Sequence, residues 1–98
     1  MKTKIRPREL ELVALRRDLP EFGLRAGQIG TVVLVHRLNA LEVEFMDSEG
    51  DSVALLTILD RDVRVAKRDE LAGDAWPDPL PPGTEWRVGD ATRQPLPR

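Results

Sequence analysis

From Ala40 to Asp47 the chain reads Ala-Leu-Glu-Val-Glu-Phe-Met-Asp. On an extended backbone Leu41, Val43 and Phe45 share one side, and Glu42, Glu44 and Met46 share the other. A helix repeats its apolar positions every 3.6 residues, so a period of two commits this stretch to a half-buried strand. Its neighbours read the same way. Gly30-Thr31-Val32-Val33-Leu34-Val35-His36 is β-branched and follows glycine, which predicts a strand. Arg37-Leu38-Asn39 is a connection short enough for a hairpin between the two. Asp47-Ser48-Glu49-Gly50 is a turn, with Gly50 free to take positive φ and Asp47 able to bond its own backbone. Asp51 to Leu59 follows as a further strand, Asp60-Arg61-Asp62 as a tight turn, and Val63-Arg64-Val65 as a last short strand. Upstream, Glu9 to Leu15 has strand spacing. Good helix formers across residues 8–17 offer a helix instead, and the strand is the preferred reading.

Core-forming residues are distributed unevenly. Leu, Val, Ile and Phe make up 28 of 98 residues, above the ~20% below which chains of high charge stay disordered. Residues 10–65 hold 23 of them, whereas six of the eight prolines fall in the last 22 residues. That contrast divides the chain into a basic arm (1–8), a compact domain (9–66), and a segment (67–98) with a short helical turn and a proline-rich tail. Charge is divided as well. Residues 1–17 carry a net +4 and residues 18–60 a net −6, which the overall −2 conceals. No apolar run approaches the ~18 residues of a membrane span. No signal core follows the basic start, so a cytoplasmic protein is expected.

Four to five short strands joined by small turns predict an all-β domain, namely a small, partly open antiparallel barrel of about five strands with a proline-rich C-terminal extension. The long excursion Asp18–Gly30 and the turn 60–62 sit where an SH3-like barrel has its longest loop and its last turn. Asp18-Leu19-Pro20-Glu21-Phe22-Gly23-Leu24-Arg25-Ala26-Gly27-Gln28-Ile29-Gly30-Thr31-Val32-Val33, with Glu42-Val43-Glu44-Phe45 and Val53-Ala54-Leu55-Leu56-Thr57, resembles the small bacterial domain-of-unknown-function family 4926. The resemblance covers roughly residues 9–66. It implies an SH3-like fold and carries no activity with it. Gly27-Gln28-Ile29-Gly30-Thr31-Val32 also resembles, more loosely, the strand entry of KOW-type modules.

The residues offer little for chemistry. Zero cysteines exclude a disulfide scaffold, a thiol nucleophile and a cysteine-ligated metal. One histidine, His36, has no nucleophile in a recognisable context. Glu42 and Glu44 lie about 7 Å apart on one strand face, but a glycosidase pair needs a carbohydrate cleft that so small a domain does not build. Asp47, Glu49 and Asp51 alternate like calcium ligands without the closing Glu of a calcium loop. The glycines before Thr31 are followed by a strand, not by the helix a phosphate cradle requires. Catalytic, metal and cofactor sites are therefore not expected, and neither is a small-molecule substrate. Nucleic acid is disfavoured by the acidic domain and by the shortage of stacking aromatics.

What stands out is a surplus of apolar surface. Residues 32–35 and 53–59 are apolar on both strand faces, as in strands covered on both sides. A second copy, another protein or the chain's own tail must cover the second face. Trp76 and Trp86, the only tryptophans, give the tail large groups to bury. The predicted contact face is Val32, Leu34 and His36 with Ala54, Leu56 and Ile58, joined by Phe22, the acidic Glu42 and Glu44, and Trp76 and Trp86. The expected function is a non-enzymatic protein-interaction module, of the kind represented by a bacterial antitoxin or immunity protein. A homo-oligomeric structural protein and a KOW-like nucleic-acid module are the alternatives.

Overall fold

The alternating stretch lies near the middle of a single mixed sheet. The computed structural model describes residues 6–93. Six strands run β1 (Leu12–Leu15), β2 (Ile29–Val35), β3 (Ala40–Met46), β4 (Ser52–Leu59), β5 (Val63–Val65) and β6 (Arg87–Asp90), ordered β5-β1-β2-β3-β4-β6. Among the described residues there is no α-helix, only short 3₁₀ turns such as Pro20–Phe22 and Asp60–Asp62. The all-β class therefore holds. The sheet stays open rather than closing into a barrel, and the tail adds a sixth strand, which pairs parallel with β4.

Local chemistry accounts for the turns. Asp47 is buried, and its Oδ1 accepts from Glu49 N at 2.9 Å and Asp51 N at 3.0 Å, while Gly50 takes φ +88°. Between β2 and β3, Leu38 and Asn39 both have positive φ, 62° and 69°. This is the backbone hand that matches strand twist in tight hairpins. The strand expected from Glu9 begins only at Leu12, because Leu10 is left-handed (φ 70°) and Glu11 N bonds Arg8 O in a turn.

The interior lies on one face of the sheet. Leu41, Val43 and Phe45 lie fully buried there with Val13, Val32, Leu56 and Ile58. Leu19 and Leu24, bridged across the long loop 16–28, close it from one side. Gly30 is required by close approach, since a Cβ there would lie 2.6 Å from Val43 Cγ1 and 2.8 Å from Glu44 O. The basic start is part of this structure. Arg6 donates to the buried Asp60 and to the carbonyls of His36 (2.9 Å) and Ala40 (3.1 Å), tying down the end of the β2–β3 hairpin. The hydrogen bond to Asp60 also raises the Arg6 pKa above its ordinary value. Arg17 faces Asp62 at 3.1 Å. Opposite charges separated along the sequence are thus partly brought together in space. Lys2 and Lys4 lie outside the described residues.

Two bulges decide which apolar residues point inward. Between β3 and β4, Met46 pairs Ser52 but Phe45 pairs Ala54, so Val53 is the extra residue. Between β2 and β3, Val32 pairs Val43 and Leu34 pairs Glu42, so Val33 is the extra residue. A one-residue slip exchanges the two faces of a strand. As a result Ala54, Leu56 and Ile58 fill the core at 0% exposure, and so does Val32. The expectation that these four present a contact face is corrected accordingly.

Candidate functional site

The other side of the sheet is where the surplus apolar surface lies. Directly paired residues share a face, so one row crosses five strands as Leu12–Thr31–Glu44–Leu55–Val88. A second row runs Leu34–Glu42–Thr57–Asp90. This outer face divides in two. Over β1 and the start of β2 (Ile29 to Thr31) it is covered by residues 66–77, which cross it as a strap. Ala66, Leu71 and Ala75 pack there on Ala14, Ile29 and Leu12. Over the end of β2 and over β3, β4 and β6 it stays open, and Leu34 and Val88 are 41% and 67% exposed.

The strap is anchored by polar contacts. Glu70 accepts from Lys67 N at 2.8 Å and pairs with Arg64 at 2.9 Å. The first of these contacts, then the second, holds its carboxyl below the usual range. Gln28, buried in the long loop, accepts from Arg25 N and donates to Trp76 O. The chain's own tail, one of the three covers expected, therefore covers half of the second face.

At the border between the covered and open halves lies a cleft of about 230 Å³, lined by Leu12, Ile29, Gly30, Thr31, Glu44, Met46, Arg68, Leu71 and Trp76. Small-molecule sites are commonly about 300–1,000 Å³. The cleft is the size of one large apolar side chain, with a carboxylate at its wall. Glu44 accepts from the Ser52 hydroxyl, and His36 Nε2 lies 3.5 Å from Glu42 Oε2.

Of the residues expected to make contact, the outer face brings together Leu34, His36, Glu42 and Glu44, with Trp76 at the cleft. Phe22 lies elsewhere, packed on the core beside Gly89 of β6. Trp86 precedes β6 and is 42% exposed. Sequence reasoning missed Leu55, Thr31, Met46, Arg68 and Val88. Leu55 shared the ambiguity of a strand apolar on both faces, and Val88 is a lone apolar residue in a polar tail, without periodicity to mark it.

Residues 9–65 match the model of a family described as Domain of unknown function (DUF4926). The chain belongs to that family. No curated protein and no solved structure is significantly similar to it. The family match contains β1 to β5 and ends before both the strap and β6. The cover of the outer face and the sixth strand are therefore additions to the matched unit. No helix among the described residues is long and apolar enough to cross a membrane.

Proposed function

We propose that this chain is a non-enzymatic protein-interaction module that binds a basic partner protein through the open half of its outer face. The observation that carries this reading is the unequal cover of a sheet apolar on both sides. The strap covers β1 and the start of β2, while Leu34 at the end of β2 and Val88 stay exposed in rows that also hold Glu42, Glu44 and Asp90. Exposed apolar groups among like charges suit a partner with basic residues around an apolar side chain, and the cleft beside Glu44 accommodates one such side chain. The acidic groups would select the partner and speed its arrival more than they would hold it. A bacterial antitoxin or immunity protein acting in the cytoplasm has these properties, being small, acidic and built to occlude a basic surface.

The test is co-expression with the products of the flanking genes, followed by light scattering. A stable heterocomplex is expected, and Leu34→Asp or the pair Glu42→Lys, Glu44→Lys should dissolve it while Arg61→Ala leaves it intact. Absence of a complex with every flanking product, or a complex indifferent to these changes, overturns the reading. Nucleic-acid binding gains no support from Arg6 and Arg17, which are engaged by Asp60 and Asp62, and Arg8 and Arg16 alone remain exposed among the arginines of the basic start.

A further inference from the structure

β6 is attached to the family unit in an unusual way. It lies parallel to β4, with Ala54 opposite Arg87, Leu55 opposite Val88, Leu56 opposite Gly89 and Thr57 opposite Asp90. Without it, β4 would be a bare edge of eight residues, Ser52–Leu59. Bare edges of that kind are templates for pairing with another chain. The edge is shaped for the segment it holds. A Cβ on Gly89 would lie 2.5 Å from Phe22 Cε1, so only glycine fits over that ring. One turn away, Arg87 crosses Gly23 so closely that a Cβ there would lie 2.6 Å from its Nη1. Ala91 is buried, with its N bonded to Thr57 O at 2.8 Å and its O accepting from Arg17 Nη2 at 2.9 Å.

The strand is otherwise weakly held. Arg87, Val88 and Asp90 are exposed, so the ladder, Gly89 and Ala91 carry the attachment. The link back to the strap, residues 78–86, is exposed apart from Leu80 and contains Pro79, Pro81 and Pro82. A proline-rich link is stiff and extended, and nine residues span at most about 30 Å. The same contacts form whether the strand comes from the same chain or from an identical one, which makes exchange a low-cost route to a dimer.

We propose that the β4 edge, with Phe22 and Gly23, is a strand-acceptor site whose ligand in trans is residues 87–91 of a second copy, giving a strand-exchanged dimer. This goes beyond the proposed function and adds the β4 edge, Phe22 and Gly23, sharing with it only Val88 and Asp90 of β6. Leu34→Asp, which removes the partner complex, leaves the exchange intact.

Light scattering on the full chain over a wide concentration range tests it. The wild-type protein should show a growing fraction at twice 11.0 kDa, and Gly89→Val should stay at the single mass. A wild-type protein that is monomeric throughout overturns the exchange, and so does a dimer that Gly89→Val leaves undiminished. A second measurement addresses the acceptor itself. A synthetic peptide of residues 84–93 is titrated into ¹⁵N-labelled, full-length Gly89→Val protein. Saturable shifts are expected at the amides of residues 54–58 and Gly23, with none from a peptide carrying the same Gly89→Val change. Equal response to both peptides, or to neither, overturns the acceptor. Amide signals from β1 and β2, which do not pair with β6, report whether the variant is folded. Should they be lost, Ala91→Arg replaces it in both measurements with the same expected results.

Discussion

The two faces of this sheet are built from similar residues and closed to different degrees. The inner face is sealed by its own strands and by Leu19 and Leu24 of the long loop. The outer face carries Leu12, Ile29, Leu34, Leu55 and Val88, and the strap covers only the first two. Hydrophobicity alone does not separate these roles. What separates them is whether another part of the chain arrives to cover the residue. An apolar side chain left uncovered beside Glu42 and Glu44 is available for contact, whereas the same side chain under the strap serves stability.

The largest effect should come from the inner face. Phe45 is fully buried opposite Ala54 and against the backbone of Gly30. Phe45→Ala removes its contacts and leaves a cavity, and should cost about 3–5 kcal/mol in urea unfolding. A domain this small buries only about 60% of its unfolded surface, so the variant should be largely unfolded at room temperature. A loss below 1 kcal/mol would contradict the assignment of the sealed face. The strap should come next. Leu71 is partly buried on Ala14 and Ile29, and Leu71→Ala should cost about 1–2 kcal/mol, part of the value of a fully buried side chain. Hydrogen exchange should then rise at Leu12 to Ala14 and leave β3 and β4 protected.

How much of this was legible follows from the same geometry. The alternation at 40–47 placed Leu41, Val43 and Phe45 inward because polar residues marked the opposite side. In β4 the polar Ser52 and Thr57 stand five apart and mark opposite sides of an unbroken strand, so the sequence permitted either face. The register across the Asp47–Asp51 turn would have placed Val53 and Leu55 inside. The bulge at Val53 leaves Val53 itself buried but turns Leu55 outward and Ala54 and Leu56 inward, and bulges leave no reliable trace in composition. The cover of the outer face was foreseen as a need, and the tryptophans pointed to the tail. β6 was not foreseen, because Arg87-Val88-Gly89-Asp90 has neither β-branched density nor alternation, and its pairing depends on the shape of Phe22.

The open half should respond in function and hardly at all in stability. Leu34→Ser exchanges a side chain already 41% exposed, and surface changes of this kind stay within about 0.5 kcal/mol. The melting curve should overlay the wild type while the partner complex is lost. A marked destabilisation would mean that Leu34 belongs with the covered residues and that the division of the face is drawn in the wrong place.

The smallest effect is a dependence on acid confined to the covered half. Glu70 is held below its ordinary value of 4.5 chiefly by the N–H of Lys67 and then by Arg64. A carboxyl whose pKa falls on folding stabilises the folded form above its ordinary value, and that contribution is lost as pH falls through the lower, folded value. The strap should therefore loosen below about pH 4.5 while the sheet persists, a small change because Glu70 faces solvent. In a Trp86→Phe background the fluorescence of Trp76 reports the strap alone, and far-ultraviolet circular dichroism reports the sheet. The fluorescence change should precede the loss of the sheet on acidification. Glu70→Gln should abolish that early step, since its side chain no longer titrates, while the later loss of the sheet keeps its midpoint. Coincident transitions in both signals would show that strap and sheet unfold as one unit, and the outer face would then have no separately held half.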